Sequence, residues 1–262
     1  MILVISPAKT LKRLPITFEE LKKHFKEPIF KKKTLELVDL LKKKSQLEIT
    51  KLLGVNQKIG ELNYQRFQSF PVRFQYEESY PAIFLYYGDV YKGFEFHNYK
   101  LEHFDFLENH VRILSGLYGI LKPFSLIYPY RLEMATQFSF TINQTHYHSL
   151  YSYWSDIVTN YLNEEIHHTH NQLLVNLASN EYAKAIDKKK LSFPMIQIIF
   201  QEKRNGKYTT IALNSKRARG KMVNWIIKNQ IQDVEFLKNF HLDHYKFSKE
   251  KSTKTEWYFL KG

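Results

Sequence analysis

The sequence contains no cysteine in 262 residues. Disulfide bonds, zinc–thiolate sites and iron–sulfur clusters bound by this chain are therefore excluded, because each of them needs cysteine sulfur. A reducing cytoplasm is consistent with this composition. The tract His167–His170 resembles a metal-binding sequence, but it has no carboxylate at ligand spacing, so we interpret it as a solvated loop. We predict no metal site and no cofactor.

Long apolar runs are also missing, since no stretch approaches eighteen continuous apolar residues. The first residues have no basic segment before the short apolar run Ile2–Ile5, so they do not resemble a signal peptide. We expect a cytoplasmic protein that makes no contact with a membrane. No linker, repeat or low-complexity block divides the chain, and we therefore predict a single domain over residues 1–262 that is a monomer.

Acidic residues are too few to balance the basic ones. Asp and Glu number 26 against 39 Lys and Arg, which gives a formal net charge of +13. Such a charge favours polyanionic partners, with nucleic acid first, anionic membranes second and phosphorylated small molecules third. Charge alone does not choose among them.

Short apolar runs alternate with segments of helical periodicity, so we predict a mixed α/β (α+β) fold with a mixed central sheet. The Asn-Gly pair at 205–206 predicts an antiparallel hairpin, and the last residues predict a second one. The predicted strands are Ile2–Ile5, Pro81–Tyr86, Val111–Leu114, Leu173–Leu177, Met195–Phe200 with Lys207–Leu213, and Tyr245–Phe247 with Glu256–Leu260. The predicted helices are Phe18–Lys44, two within Ser45–Phe67, Phe104–His110, Tyr151–Asn163, one opening near Ser179, and one starting at Ser215.

Two short apolar-periodic segments within residues 47–67 meet at Gly54 and predict an embedded helix-hairpin-helix motif. In such a motif a glycine hairpin exposes backbone N–H groups to a phosphate, and Lys51 and Lys58 would add charge to it. Only one glycine occupies the hairpin. An ordinary pair of packed helices is the alternative.

Polar residues follow several predicted strands at their carboxyl ends, where open α/β sheets bind ligands. Ser6 and Lys9 follow the first strand, and both are candidates for holding an anion. Asp89 and Lys92 flank Tyr91 in a glycine-bounded loop, and Glu181 opens a helix after the strand at 173. The alternatives are a solvated lysine, a turn aspartate and a glutamate that stabilises a helix dipole.

The stretch Ser115–Met134 combines glycine, proline and many apolar residues, so we predict an ordered loop without helix or strand. Arg131 and Glu133 stand out there, and two residues apart in an extended segment they would point the same way. A structural crossover is the alternative.

The predicted helix at Ser215 would carry cations in its first turn, against the helix dipole. An anionic ligand would offset that cost, so we predict phosphate binding at Lys216, Arg217, Arg219 and Lys221. A solvated basic turn is the alternative.

Together these motifs resemble the YaaA family of peroxide-stress proteins. The resemblance runs along the whole chain and is carried by Ile5–Leu11, Gly88–Gly93, Leu114–Met134, Asn176–Tyr182 and Lys216–Gly220. It implies a single mixed α/β domain, a helix-hairpin-helix motif that would fall on Leu52–Leu62, and a positively charged cleft. It also implies a cytosolic role in protecting cells from hydrogen peroxide by limiting free iron and DNA damage.

Two functional hypotheses follow. The first is sequence-independent binding of double-stranded or distorted DNA through its phosphate backbone, with any effect on iron being indirect. The phosphate contacts would come from Lys9, Lys51, Lys58, Lys92, Arg131 and the cluster Lys216–Lys221. The second is an enzyme acting on a nucleotide or nucleic acid, with Asp89, Glu133 and Glu181 as candidate general acids and bases beside the cations. The sequence leaves the question of enzymatic activity open.

Overall fold

A computed structural model describes residues 1–16, 18–76 and 78–262. Its strands are β1 Ile2–Ile5, β2 Tyr80–Pro81, β3 Val111–Ser115, β4 Gly119–Leu121, β5 Leu126–Ile127, β6 Phe140–Ile142, β7 Thr145–Tyr147, β8 Leu174–Asn176, β9 Met195–Arg204, β10 Lys207–Thr209, β11 Lys246–Phe247 and β12 Glu256–Lys261. Its α-helices are α1 Lys31–Lys42, α2 Gln46–Leu53, α3 Gln57–Gln68, α4 Ala82–Leu85, α5 Leu101–His110, α6 Leu150–His167, α7 Asn180–Ala183 and α8 Ala212–Lys228. Short 3-10 helices occupy Glu19–His24, Tyr91–Gly93, Phe96–Asn98, Val234–Asn239 and Leu242–His244.

The predicted mixed α/β fold is confirmed. In the described part of the chain, eight strands form one sheet in the order β11-β12-β9-β8-β1-β3-β4, and β10 also pairs with β9. The strands β12, β9, β8, β1 and β3 run parallel to one another, whereas β4, β10 and β11 join antiparallel. The sheet therefore has a parallel centre and antiparallel margins.

The centre of the sheet is apolar because its strands are buried on both faces. Every residue of β1 and β3 is buried, as the continuous apolar run Ile2–Ile5 predicts for a strand of a parallel sheet. Arg112 of β3 is buried as well, and its guanidinium donates to the carbonyl of Glu108 at 2.8 Å and pairs with the Glu165 carboxylate. The buried apolar residues of the described ranges form one connected cluster from Met1 to Phe259.

Several predicted elements differ from the structure, each for a local reason. The long helix predicted over Phe18–Lys44 is broken, because Pro28 disfavours helix in the residue before it and α1 starts only at Lys31. The strand predicted over Pro81–Tyr86 is wrong beyond Pro81, since Ala82–Leu85 forms one buried helical turn. A short apolar run cannot distinguish these two buried states.

The loop predicted over Ser115–Met134 is also partly wrong. The chain turns back at once, and Gly119, with φ of +70°, pairs with Ser115 as the start of β4. Leu126 and Ile127 then form β5, which pairs antiparallel with β2. The predicted hairpin is confirmed as β9 and β10, but β10 ends at Thr209 rather than at Leu213.

The helices predicted within residues 47–67 exist as α2 and α3. Gly54 closes α2 in the left-handed region, with φ of +59°, and Asn56 caps α3 by accepting from the Ile59 N–H at 3.0 Å. The two helices pack closely at Gly60, where an added Cβ would lie 1.9 Å from the Thr50 hydroxyl oxygen. This is a helical hairpin, and a DNA-binding role for it stays a prediction. Within the described ranges, no helix is both long and apolar enough to cross a membrane.

Candidate functional site

A cleft of about 510 Å³ opens where the parallel strands β1 and β8 end. Its walls come from the turn after β1, the loop before the 3-10 helix at Tyr91, the segment 130–133, the start of α7 and the middle of α8. This is the edge at which open α/β sheets place their ligands. The topology thus brings together residues that lie far apart in the sequence.

Serine side chains join the ends of β1 and β8 at the floor of the cleft. The backbone N–H of Ser179 donates to the Ser6 hydroxyl oxygen at 2.8 Å. The buried hydroxyl of Tyr91 donates to the Ser6 carbonyl at 3.0 Å, so the loop carrying Asp89 is tied to the same turn. Ser6 therefore stabilises the junction between these segments in addition to lining the cleft.

Glu133 lies between two cations. Its carboxylate contacts Lys9 Nζ at 2.5 Å through one oxygen and Arg131 Nη2 at 3.1 Å through the other. Arg131 and Glu133 thus point the same way, as expected for residues two apart in an extended segment. About a quarter of the Glu133 side chain remains exposed, so a ligand in the cleft can reach it.

The segment that carries Arg131 and Glu133 is packed directly on the end of β3. A Cβ on Gly116 would lie 2.4 Å from the carbonyl oxygen of Leu132, so this contact requires glycine for its close approach. Ser115 is fully buried and contacts the Tyr130 hydroxyl at 2.6 Å, and Tyr130 in turn contacts the Tyr86 hydroxyl at 2.8 Å. Ser115 does not line the cleft itself, but its contact with Tyr130 stabilises a side chain that does.

Helix α8 packs backbone to backbone on the loop that carries Asp89. A Cβ on Gly220 would lie 1.9 Å from the Val90 carbonyl oxygen, and one on Gly93 would lie 2.5 Å from the Gly220 backbone. The Asp89 carboxylate contacts Arg217 Nε at 3.6 Å across this junction. These contacts fix α8 against the cleft.

Lys216 and Arg219, one turn apart on α8, line the cleft without a carboxylate partner among the described residues. The Arg219 side chain is largely enclosed, its Nε has no hydrogen-bond partner in the described ranges, and burial lowers the pKa of its guanidinium. Enclosing a charged group without a counter-ion is unfavourable. An anion bound at this end of the cleft would supply the counter-ion that Arg219 lacks.

Most of the residues predicted for the site converge in this cleft: Ser6, Lys9, Asp89, Arg131, Glu133, Glu181, Lys216 and Arg219. The others lie outside its lining: Lys51, Gly54, Lys58, Lys92, Arg217 and Lys221. Lys92 extends over the Tyr87 ring at 5.4 Å, and Lys221 pairs with Asp243 at 2.6 Å. Glu181 accepts a hydrogen bond from the backbone N–H of Ala135 at 3.3 Å.

The placement of the α8 cations in a first turn is wrong. The helix begins at Ala212, three residues earlier than predicted, so Lys216 lies beyond the first turn and the four cations do not oppose the helix dipole. The case for an anion at this position therefore depends on the unpaired and enclosed Arg219, not on the dipole.

Sequence reasoning missed the aromatic part of the cleft. Tyr130 and Tyr182 line it beside Tyr91, and all three are buried. Burial raises the pKa of Tyr130 to about 12 and raises that of Tyr182 further, so both keep their protons at physiological pH. Tyr130 directly precedes Arg131 in the sequence and Tyr182 directly follows Glu181. This adjacency to two predicted site residues is the sequence signal that could have identified both tyrosines.

Potential metal ligands are not grouped in the same way. Across residues 1–16, 18–76 and 78–262, no three His, Asp or Glu side chains are arranged to hold a metal ion. His167 and His168 are exposed at the end of α6.

Comparison with known proteins accounts for the whole chain. A UPF0246 protein of Crocosphaera subtropica is 42% identical over 263 residues, which cover all of both chains. UPF0246 proteins of Legionella pneumophila (strain Lens) and Rickettsia bellii are 39% and 40% identical, covering all of this chain and 99% and 100% of their own. The family described as peroxide stress protein YaaA matches residues 1–251, which include every segment that lines the cleft. The chain therefore belongs to the peroxide stress protein YaaA family and has a general role in peroxide stress.

Proposed function

We propose that this protein acts in peroxide stress by binding DNA without regard to base sequence, with one phosphate of the backbone held at the Lys216–Arg219 end of the cleft. The observation that carries the proposal is the enclosed Arg219 guanidinium, which lacks a carboxylate partner in the described part of the chain. A phosphate oxygen would supply the missing counter-ion. The net charge of +13 would draw a polyanion to the surface.

The rest of the cleft suits a nucleotide unit. Its volume lies in the range of small-ligand sites, roughly 300–1,000 Å³. Tyr91 and Tyr182 line the cleft with buried side chains, so they add an apolar wall against which a sugar or the edge of a base would pack. Three carboxylates balance much of the positive charge of the lining, so the cleft contains more than the cations that a simple backbone clamp needs.

A titration with matched variants tests this proposal. Labelled duplex and bubble-containing duplex are titrated at two salt concentrations with the parent chain and with Lys216→Gln/Arg219→Gln. The control is Lys221→Gln/Lys228→Gln, which removes the same charge from the same helix at residues that pair with Asp243 and Glu95 outside the cleft. We expect affinity to fall steeply with salt and the cleft variant to bind on the order of tenfold more weakly than the control.

Equal affinities of the two variants would contradict binding in the cleft. Binding that ignores salt, or no binding near physiological ionic strength, would contradict the DNA proposal itself. A sharp preference for one base sequence would contradict the backbone-only part.

The hairpin of α2 and α3 is proposed as a second contact with the DNA backbone. Lys51 and Lys58 are exposed on the two sides of this hairpin, whose turn runs from Gly54 to Asn56. Changing both lysines to glutamine would reduce duplex affinity while leaving the cleft intact.

Effects on iron are proposed to be indirect. Without cysteine, a direct site would need histidine and carboxylate ligands. Elemental analysis after anaerobic loading with ferrous iron and desalting would overturn this by returning about one iron per chain.

A second candidate function is an enzyme that acts on a nucleotide. It is supported by the convergence of Asp89, Glu133 and Glu181 with Lys9 and Arg131 in one cleft, since acid–base chemistry needs such mixtures at close range. Glu133 is the best candidate for a general acid or base, because its carboxylate reaches the cleft and is held by two cations.

Glu133→Gln separates the two functions. It removes a negative charge, so DNA affinity should stay unchanged or rise slightly, whereas an enzyme that needs the carboxylate should fail to protect a peroxide-treated cell lacking the native gene. Glu164→Gln, an exposed site on α6, is the matched control. If Glu133→Gln protects as well as the parent, the carboxylate is dispensable and the enzyme proposal loses its best residue.

A further inference from the structure

The hairpin of β9 and β10 extends beyond the sheet. Strand β9 pairs with β8 only as far as Gln197 and with β12 as far as Glu202. Beyond Glu202, β9 pairs only with β10: Lys203 pairs with Tyr208 and Arg204 with Lys207. The turn Asn205-Gly206 connects the two strands at the tip of the hairpin. The tip therefore projects as a two-stranded ribbon for about 10 Å, at a strand rise of about 3.3 Å per residue.

The ribbon extends from the same side of the sheet as the cleft. Glu202 pairs with Lys261 of β12 and also with Thr209 of β10, and a strand has only two edges, so β10 lies on the edge that β9 shares with β8. Because β8 and β9 are parallel, β10 continues the line of β8 beyond its carboxyl end, where the cleft opens. The chain then runs from Thr209 directly into α8, which carries Lys216 and Arg219 into the cleft.

The ribbon is basic on both faces. Residues 203–210 are all exposed and contain three cations and no acidic residue. None of Lys203, Arg204 and Lys207 forms an ion pair with any described residue. Arg204 and Lys207 are cross-strand partners and share one face, whereas Lys203 shares the other with Tyr208, whose ring lies 5.5 Å from Lys251 Nζ.

We infer that this ribbon grips duplex DNA by entering the major groove beside the nucleotide that the cleft holds. The major groove admits a two-stranded β-ribbon, and phosphates border it on both sides, which matches cations on both faces of the tip. The major groove of duplex RNA is deep and narrow, so the ribbon would not enter it. The inference deepens the proposed function and rests on it, because it assigns the duplex contact to a surface separate from the cleft.

The test measures binding of a labelled 20-bp DNA duplex, and of the RNA duplex of the same sequence, to Arg204→Gln/Lys207→Gln in the full chain. Lys188→Gln/Lys189→Gln is the control, since it removes equal charge from exposed residues that follow α7. We expect DNA affinity to fall on the order of tenfold and the salt slope to lose about 2, with the control close to the parent. Arg204→Lys/Lys207→Arg should restore binding, which shows that charge and not folding is affected.

Equal DNA affinity of the ribbon variant and the control, with a parent that binds, would overturn the ribbon while leaving DNA binding in the cleft standing. An equal loss on DNA and RNA duplexes would overturn the groove assignment. A parent that binds a bubble-containing duplex but no plain duplex would overturn the ribbon alone, and a parent that binds neither would overturn the proposed function and the ribbon with it.

Discussion

The side chain of Glu108, on α5, is a largely buried carboxyl group. Its Oε2 accepts a hydrogen bond from the Phe124 N–H at 3.0 Å. Burial raises its pKa to about 7, and the nearby charges of Arg112 and Lys122 counteract this only in part. Glu108 therefore holds a proton in the folded protein at pH values where an exposed glutamate has lost it.

This makes stability depend on pH in a direction opposite to that of an ion-paired carboxylate. Between pH 4.5, its ordinary value, and about pH 7, the unfolded chain loses the proton while the folded chain keeps it. The contribution of Glu108 to the free energy of unfolding therefore decreases as pH rises through this window and stays low above it.

We predict that Glu108→Gln stabilises the protein at pH 8 by about 3 kcal/mol and has little effect at pH 4.5, since glutamine stays neutral and can still accept from Phe124. Urea unfolding at the two pH values measures this. Glu102→Gln, exposed on the same helix α5, is the control and should show no such difference. An equal effect of Glu108→Gln at both pH values would show that folding does not raise the pKa of this carboxyl.

Among the elements, the junction of α8 with the loop carrying Asp89 decides the shape of the cleft. Gly220→Ala would bring a Cβ to 1.9 Å from the Val90 carbonyl, and backbone at that point cannot rotate aside. We predict a loss of about 3 kcal/mol in stability, together with weaker DNA binding because α8 must move away from the cleft. Thermal unfolding and the duplex titration measure the two effects.

Leu213→Ala, an exposed position on the same helix, is the control for this substitution and should change neither property much. Unchanged stability and binding in Gly220→Ala would mean that α8 and the loop can separate without cost.

Element prediction from sequence succeeded where a single signal dominates. Val111–Leu114 and Tyr151–Asn163 were found because one is a continuous apolar run and the other is strongly periodic. The sequence misplaces the start of α8 because Ile211, which precedes it, carries no capping side chain, whereas the first polar cluster begins at Ser215. A helix that starts without a capping side chain gives no local sequence signal from which its first residue can be predicted.

The site was predictable to a similar extent. Ser6, Lys9 and Glu181 were found because the ends of parallel strands meet at one edge. The direction of a side chain on an irregular loop follows no such rule, so Lys92 was expected in the cleft although it turns to the Tyr87 ring. Tertiary contacts alone decide such cases.

At the scale of the whole molecule, the last strand is part of the sheet interior. Strand β12 pairs with β9 over six residues and with β11 on its other edge, and Trp257 and Phe259 are buried. We predict that removing residues 252–262 abolishes cooperative folding, because β9 loses a neighbour and Phe200 loses its contact with the Phe259 ring. Solubility and thermal unfolding report the result.

Removing only residues 261 and 262 leaves five of the six residue pairs with β9 and should be tolerated. A cooperative unfolding transition in the longer deletion would show that β12 is an accessory strand.

The position of β1 in the middle of the sheet also has a consequence for synthesis. It leaves the ribosome before both of its neighbours, β3 and β8, which begin at residues 111 and 174. At roughly 5–20 residues per second, β8 follows β1 by on the order of ten to thirty seconds. During that interval an apolar strand has an unpaired edge, and Arg219 has not yet been made. A growing chain therefore cannot bind nucleic acid in the cleft, and the segment Ile2–Ile5 is the part of the nascent protein that most needs protection from aggregation.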